Sequence, residues 1–82
     1  MDTLPLSDLP VGRQATVTGV TADGSHGGRL ADLGFLPGTA VTCLRRAPLG
    51  DPRVYELRGV QFCLRRSEAA RIEVRLEATQ GG

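Results

Sequence analysis

The stretch Arg71-Ile72-Glu73-Val74-Arg75-Leu76-Glu77 decides the fold class. Ile72, Val74 and Leu76 alternate with Arg71, Glu73, Arg75 and Glu77. An extended chain sends successive side chains to opposite faces, so this period of two predicts a half-buried strand. The same period recurs upstream. Gln14 to Val20 sets Ala15 and Val17 against Gln14, Thr16 and Thr18, and Ala40 to Arg46 places Val41 and Cys43 on one face. Arg53 to Arg58 turns Tyr55 and Leu57 inward and Glu56 and Arg58 outward, and Gln61 to Leu64 aligns Phe62 with Leu64. A connection of about two residues, at Gly59-Val60, implies that these last two segments form an antiparallel hairpin.

The connections are short and stiff. Leu4 to Gly12 opens with a turn that Ser7 caps, with Leu6 and Leu9 inward and Pro10 as its stop. Ala22 to Gly28 is too rich in glycine for regular structure. A short helix follows at about Gly28–Leu33, with Leu30 and Leu33 on one face and Gly34 as its C-terminal stop. Leu36-Pro37-Gly38-Thr39 suits a type II turn. Ala47 to Pro52 is a loop with two prolines around Leu-Gly-Asp, and Ser67 with Glu68 predicts one further helical turn. Five short strands and one short helix between the first and second predict a mainly β fold, a small closed or nearly closed barrel.

Length and composition narrow the function. A chain of 82 residues supports one domain over 1–82, with an ordered core of about 4–77, and leaves little room for an enzyme's cleft. Hydrophobic residues make up 40% and charged residues 23%, an ordinary globular balance that excludes wholesale disorder. No apolar run approaches the roughly 18–20 residues needed to span a bilayer, so direct membrane insertion is not expected. The acidic, proline-containing N-terminus is unlike a signal peptide, which predicts a cytoplasmic protein. All ten basic residues are arginine, yet the net charge of +1 disfavours nucleic acid as a partner. Self-association is left open.

Three stretches, in this order and spacing, carry a family resemblance. They are Arg29-Leu30-Ala31-Asp32-Leu33-Gly34-Phe35-Leu36-Pro37-Gly38, Ala47-Pro48-Leu49-Gly50-Asp51-Pro52, and the segment from Leu64 to Val74. Together the chain from Leu6 to about Leu76 resembles the ferrous iron transport protein A family, FeoA. The resemblance implies an SH3-like five-stranded barrel and a non-enzymatic cytoplasmic accessory of ferrous iron uptake. It would bind and modulate the FeoB membrane GTPase through that protein's cytoplasmic part. The alternatives are a nucleic-acid-binding small barrel, and a metal-responsive sensor or chaperone related to the SH3-like domain of DtxR-type regulators.

The candidate residues follow. Phe35, Leu36 and Leu49 are large apolar residues on connections, where they either plug the barrel or meet a partner. With Arg46 and Asp51 they form the expected partner surface, made jointly by Arg29–Gly38 and Pro48–Pro52. His26, with Asp23 and Asp32, offers imidazole and carboxylate to Fe2+ or another transition metal, but as a weak contact on a glycine-rich loop rather than a required cofactor. Cys43 and Cys63 lack C-x-x-C spacing and read as two buried, reduced core residues. With scarce aromatics and no tryptophan, the groove that a proline-rich peptide needs is not expected.

Overall fold

The structure, a computed structural model, describes residues 3–21 and 26–76, with the backbone alone described at 26–29. Its elements in chain order are β1 (Thr3–Pro5), a 3-10 turn (Leu6–Asp8), β2 (Gln14–Val20), α1 (His26–Leu33), β3 (Ala40–Arg46), β4 (Arg53–Leu57), β5 (Val60–Leu64), α2 (Arg66–Ala69) and β6 (Ile72–Leu76). The strands form one antiparallel sheet in the order β1-β6-β2-β3-β4-β5. Each of the five alternating segments is a strand, and the helix lies between the first two of them. A sixth strand, β1, was not expected. Its three residues are too few to show a period, and Pro5 is tolerated because β1 is an edge strand.

Two irregularities curl the sheet. The register shifts in β2 between Val17 and Gly19 and in β3 between Cys43 and Arg45, and each bulge bends its strand and sharpens the twist. β4 and β5 are joined through Arg58 and Gly59, both at positive φ. This is the primed turn whose twist matches that of the flanking strands, and it sits one residue before the expected Gly59-Val60.

The alternating apolar residues converge inside. Ala15, Val17, Val41, Tyr55, Leu57, Leu64, Ile72 and Val74 are buried, as are Leu6, Leu9 and Leu30 from the connections. The turn after β1 folds back over the open side of the barrel. Its Leu6 carbonyl accepts a 3.2 Å hydrogen bond from the Tyr55 hydroxyl on β4. Ser7 is buried and caps nothing; Pro5 stands at the cap position with no side-chain bond to offer.

Burial pushes the Tyr55 phenol well above its ordinary range, and the Arg53 guanidinium partly opposes the rise. A raised acid in the folded state contributes stability that is complete below its unfolded pKa, about 10, and is lost as pH climbs beyond it. Tyr55 is the only tyrosine, so Tyr55→Phe isolates both effects. At pH 7 the variant should lose about 1–2 kcal/mol in urea unfolding. The gap to wild type should narrow above about pH 10, where only the wild-type unfolded chain ionises a phenol.

Candidate partner-binding surface

The expected site residues divide three ways. Phe35 is inside. The helix ends with the Gly34 N–H donating to Ala31 O at 2.9 Å and the Phe35 N–H donating to Leu30 O at 3.2 Å. Gly34 is at φ +114. This is a Schellman stop, which commonly brings the residue after the glycine against the last turn of the helix. Phe35 is 0% exposed and meets Phe62 edge to face at 5.6 Å. It is therefore a plug and is withdrawn from the partner surface.

Leu36 is on the surface, 47% exposed, but at the wrong end. It precedes β3, in the turn that the Thr39 N–H closes on Leu36 O at 3.1 Å. The Pro48–Pro52 loop follows β3. Seven residues of strand lie between, roughly 20 Å at strand rise. The joint surface expected from Arg29–Gly38 and Pro48–Pro52 is thus split between opposite ends of the barrel.

Arg46, Leu49 and Asp51 share one end of the barrel, at the end of β3 and in the loop that follows it. The Gly50 N–H donates to Ala47 O at 2.7 Å, and the Ala47 N–H donates to Pro52 O at 2.9 Å across the neck of the loop. The Asp51-Pro52 peptide is cis. Asp51 Oδ1 accepts the Arg66 N–H at 2.9 Å, tying the loop to the start of α2. Asp51 is therefore an anchor of the loop, with one oxygen already committed. Leu49 stands at the tip with 95% of its surface exposed, which excludes a plugging role.

The arginines around this loop were less legible. Consecutive strand residues point to opposite faces, yet Arg45 and Arg46 are both exposed. They lie beyond the β3 bulge, at the strand's end. Arg65 and Arg66 are both exposed because the chain leaves β5 there for α2. Arg65 holds the cap position of that helix, and its N–H donates to the Glu68 carboxylate at 3.0 Å. Arg53 differs from these four. It is half-buried, donates from its guanidinium to Leu9 O at 3.4 Å, and keeps its Nε buried with no acceptor among the described residues.

The cysteines are unlike each other. Cys43 is buried, and desolvation raises its thiol pKa, with Arg53 and Arg46 partly offsetting the rise. Cys63 is exposed, which corrects its expected burial. It alternates with Phe62 and Leu64 on β5, so when those two turn inward it must turn out. It lines a groove of about 440 Å³ with Asp51, Pro52, Arg65 and Glu68. Of the expected metal contacts, Asp23 and the His26 side chain lie outside the described residues, and Asp32 is exposed on α1. Among the described residues no three of His, Cys, Asp and Glu are grouped to hold a metal. No helix among them is long and apolar enough to cross a membrane.

A sheet of six short antiparallel strands curled by two bulges, with the helix set between β2 and β3, is a small SH3-like barrel. The model of the FeoA domain matches residues 4–76, and the chain belongs to that family. Over 71 residues it is 39% identical to the Fe(2+) transport protein A/Fe(2+) transporter FeoB fusion protein of Porphyromonas gingivalis, covering 87% of this chain but 8% of that relative's length. The solution structure of FeoA from Chlorobium tepidum is 40% identical with a TM-score of 0.84, over 96% of this chain and 75% of that one. The zinc complex of Stenotrophomonas maltophilia FeoA is 34% identical with a TM-score of 0.75, over 95% and 92% of the two chains. That protein is described as a procaryotic SH3 domain protein, and a role as a ferrous iron transport activating factor has been suggested for it.

Two measurements check this surface. In the native protein an aromatic disulfide reagent should titrate one thiol quickly, Cys63, and reach Cys43 only on unfolding. Asp51→Ala should cost about 1 kcal/mol, read from urea unfolding, by removing the acceptor for the Arg66 N–H at the start of α2.

Proposed function

We propose that this chain is a cytoplasmic accessory of ferrous iron uptake that works by binding the soluble part of a FeoB-type membrane GTPase and modulating it. The observation that carries the reading is Leu49, a large apolar side chain held almost wholly in solvent at the tip of a loop closed across its neck and tied to α2. A loop already ordered loses little entropy on docking, and loops on a rigid scaffold are where binding residues concentrate. A relative that carries FeoA and FeoB in one polypeptide supports the choice of partner. The contact is centred on Leu49 and Arg46. Phe35 and Leu36 are left out of it for the geometric reasons given above.

Leu49→Asp is the direct test. Because the side chain is exposed, the melting temperature should stay within about 2 °C of wild type. Affinity for the purified transporter, with or without guanine nucleotide, should fall about tenfold to 100-fold, as for a moderate interface hot spot. A folded variant that binds and supports iron uptake normally removes this loop from the function.

A further inference from the structure

Leu49 does not stand on a neutral surface. We infer that the Leu49 end of the barrel recognises a protein partner through an apolar socket bordered by carboxylates; this rests on the partner reading above and adds the chemistry of the partner's side.

The loop is bracketed on both flanks by arginine. Arg45 and Arg46 end β3 on one side, and Arg65 and Arg66 lead into α2 on the other, all four exposed. The pairing Arg46↔Arg53↔Leu64 places the end of β3, the start of β4 and the end of β5 side by side. The carboxylates at this end are Asp51 and Glu68, and each spends an oxygen on a backbone N–H, of Arg66 and Arg65 respectively. On the flanks, Arg13 is joined to β3 by the Cys43 N–H on its carbonyl oxygen, and Asp8 lies in the turn packed on α2, so these two offset each other. With the half-buried Arg53, five arginines stand against two carboxylates at this end, a surplus of three positive charges, while the other charged side chains among the described residues balance, Arg58, Arg71 and Arg75 against Asp32, Glu56 and Glu73. The charge is polarised toward Leu49.

Each part of this arrangement favours one ligand chemistry. Guanidinium forks match carboxylates in a planar, bidentate way. Charges at a rim govern encounter rate and salt dependence, while a buried apolar anchor governs residence. Nucleic acid fits less well. Tyr55 and Phe35 are buried and Phe62 is packed against Phe35, so no exposed ring is placed beside the arginines for bases to stack on. A lipid surface fits less well too, because one leucine is a slight apolar anchor for a bilayer.

The experiment titrates the full chain against a detergent-solubilised FeoB-type transporter of the same organism, between about 50 and 300 mM NaCl. It includes the pairs Arg45→Glu/Arg46→Glu and Arg45→Lys/Arg46→Lys, each confirmed as folded by its melting temperature, and a separate arm with phosphatidylglycerol vesicles. Wild-type affinity should fall about tenfold or more across that salt range. The glutamate pair should lose about tenfold at low salt and most of its salt dependence, while the lysine pair, which keeps the charge, should stay near wild type. Binding that ignores salt and tolerates the glutamate pair overturns the acidic socket and leaves the partner reading standing. No binding by folded wild type at any salt overturns both. Vesicle capture that needs the arginines, beside transporter binding that does not, assigns the basic end to lipid and overturns the inference.

Discussion

The bond from the Tyr55 hydroxyl to the Leu6 carbonyl closes the barrel, and much of the molecule is arranged around it. The sheet runs from β1 to β5 without pairing those two strands. Closure therefore falls to the segment after β1, which folds across the gap and buries Leu6 and Leu9. Burying that segment also buries carbonyl oxygens, and a buried carbonyl needs a donor. β4 supplies both, the phenol of Tyr55 to Leu6 and the guanidinium of Arg53 to Leu9. Residues two apart on a strand share a face, so one strand end provides both donors. The buried Nε of Arg53 has no acceptor among the described residues, which is the cost of using an arginine in that role.

The same junction explains why the chain reaches outward. A domain of this size buries only about 60–65% of its unfolded surface, and the groove beside Cys63 is open to solvent. The start of β4 is taken up by closure, so the loop that leads into it projects. Its neck bond and the Asp51 anchor fix it at two points. Leu49 at its tip is then an apolar knob held in solvent, and on the proposed reading it inserts into a partner rather than enclosing a ligand.

The strands were legible because their alternation is strict, and the same pattern turned Tyr55, Leu57 and Leu64 inward. What was misread had specific causes. β1 has no period to read. Phe35 was placed on a connection and so offered to a partner, although a Schellman stop carries the residue after its glycine inward. Cys63 was assigned to the core because free cysteines are commonly buried, against an alternation that already turned it out. The split of the expected surface was also present in the sequence. The seven residues of β3 between the two loops are enough to put Leu36 and Leu49 at opposite ends of a barrel this small. The pairing of Asp51 with the Arg66 amide was not legible, since it joins segments fifteen residues apart through the fold.

Net charge is a property of the chain, while encounter is a property of a face. A value of +1 argues fairly against wholesale attraction to polyanions. It is silent on where ten arginines are placed. Bulge, strand end and helix start set four of them around one loop, and each is a local backbone event that composition cannot register. The resulting asymmetry acts before contact. A barrel whose described charges are balanced except for a basic surplus at one end turns in the field of an acidic surface so that the Leu49 end approaches first. On the proposed reading the arginines then set how often the two proteins meet in the right orientation, and Leu49 sets how long they stay. That division would let transporter and accessory assemble quickly and part again, as a modulator of a nucleotide cycle must.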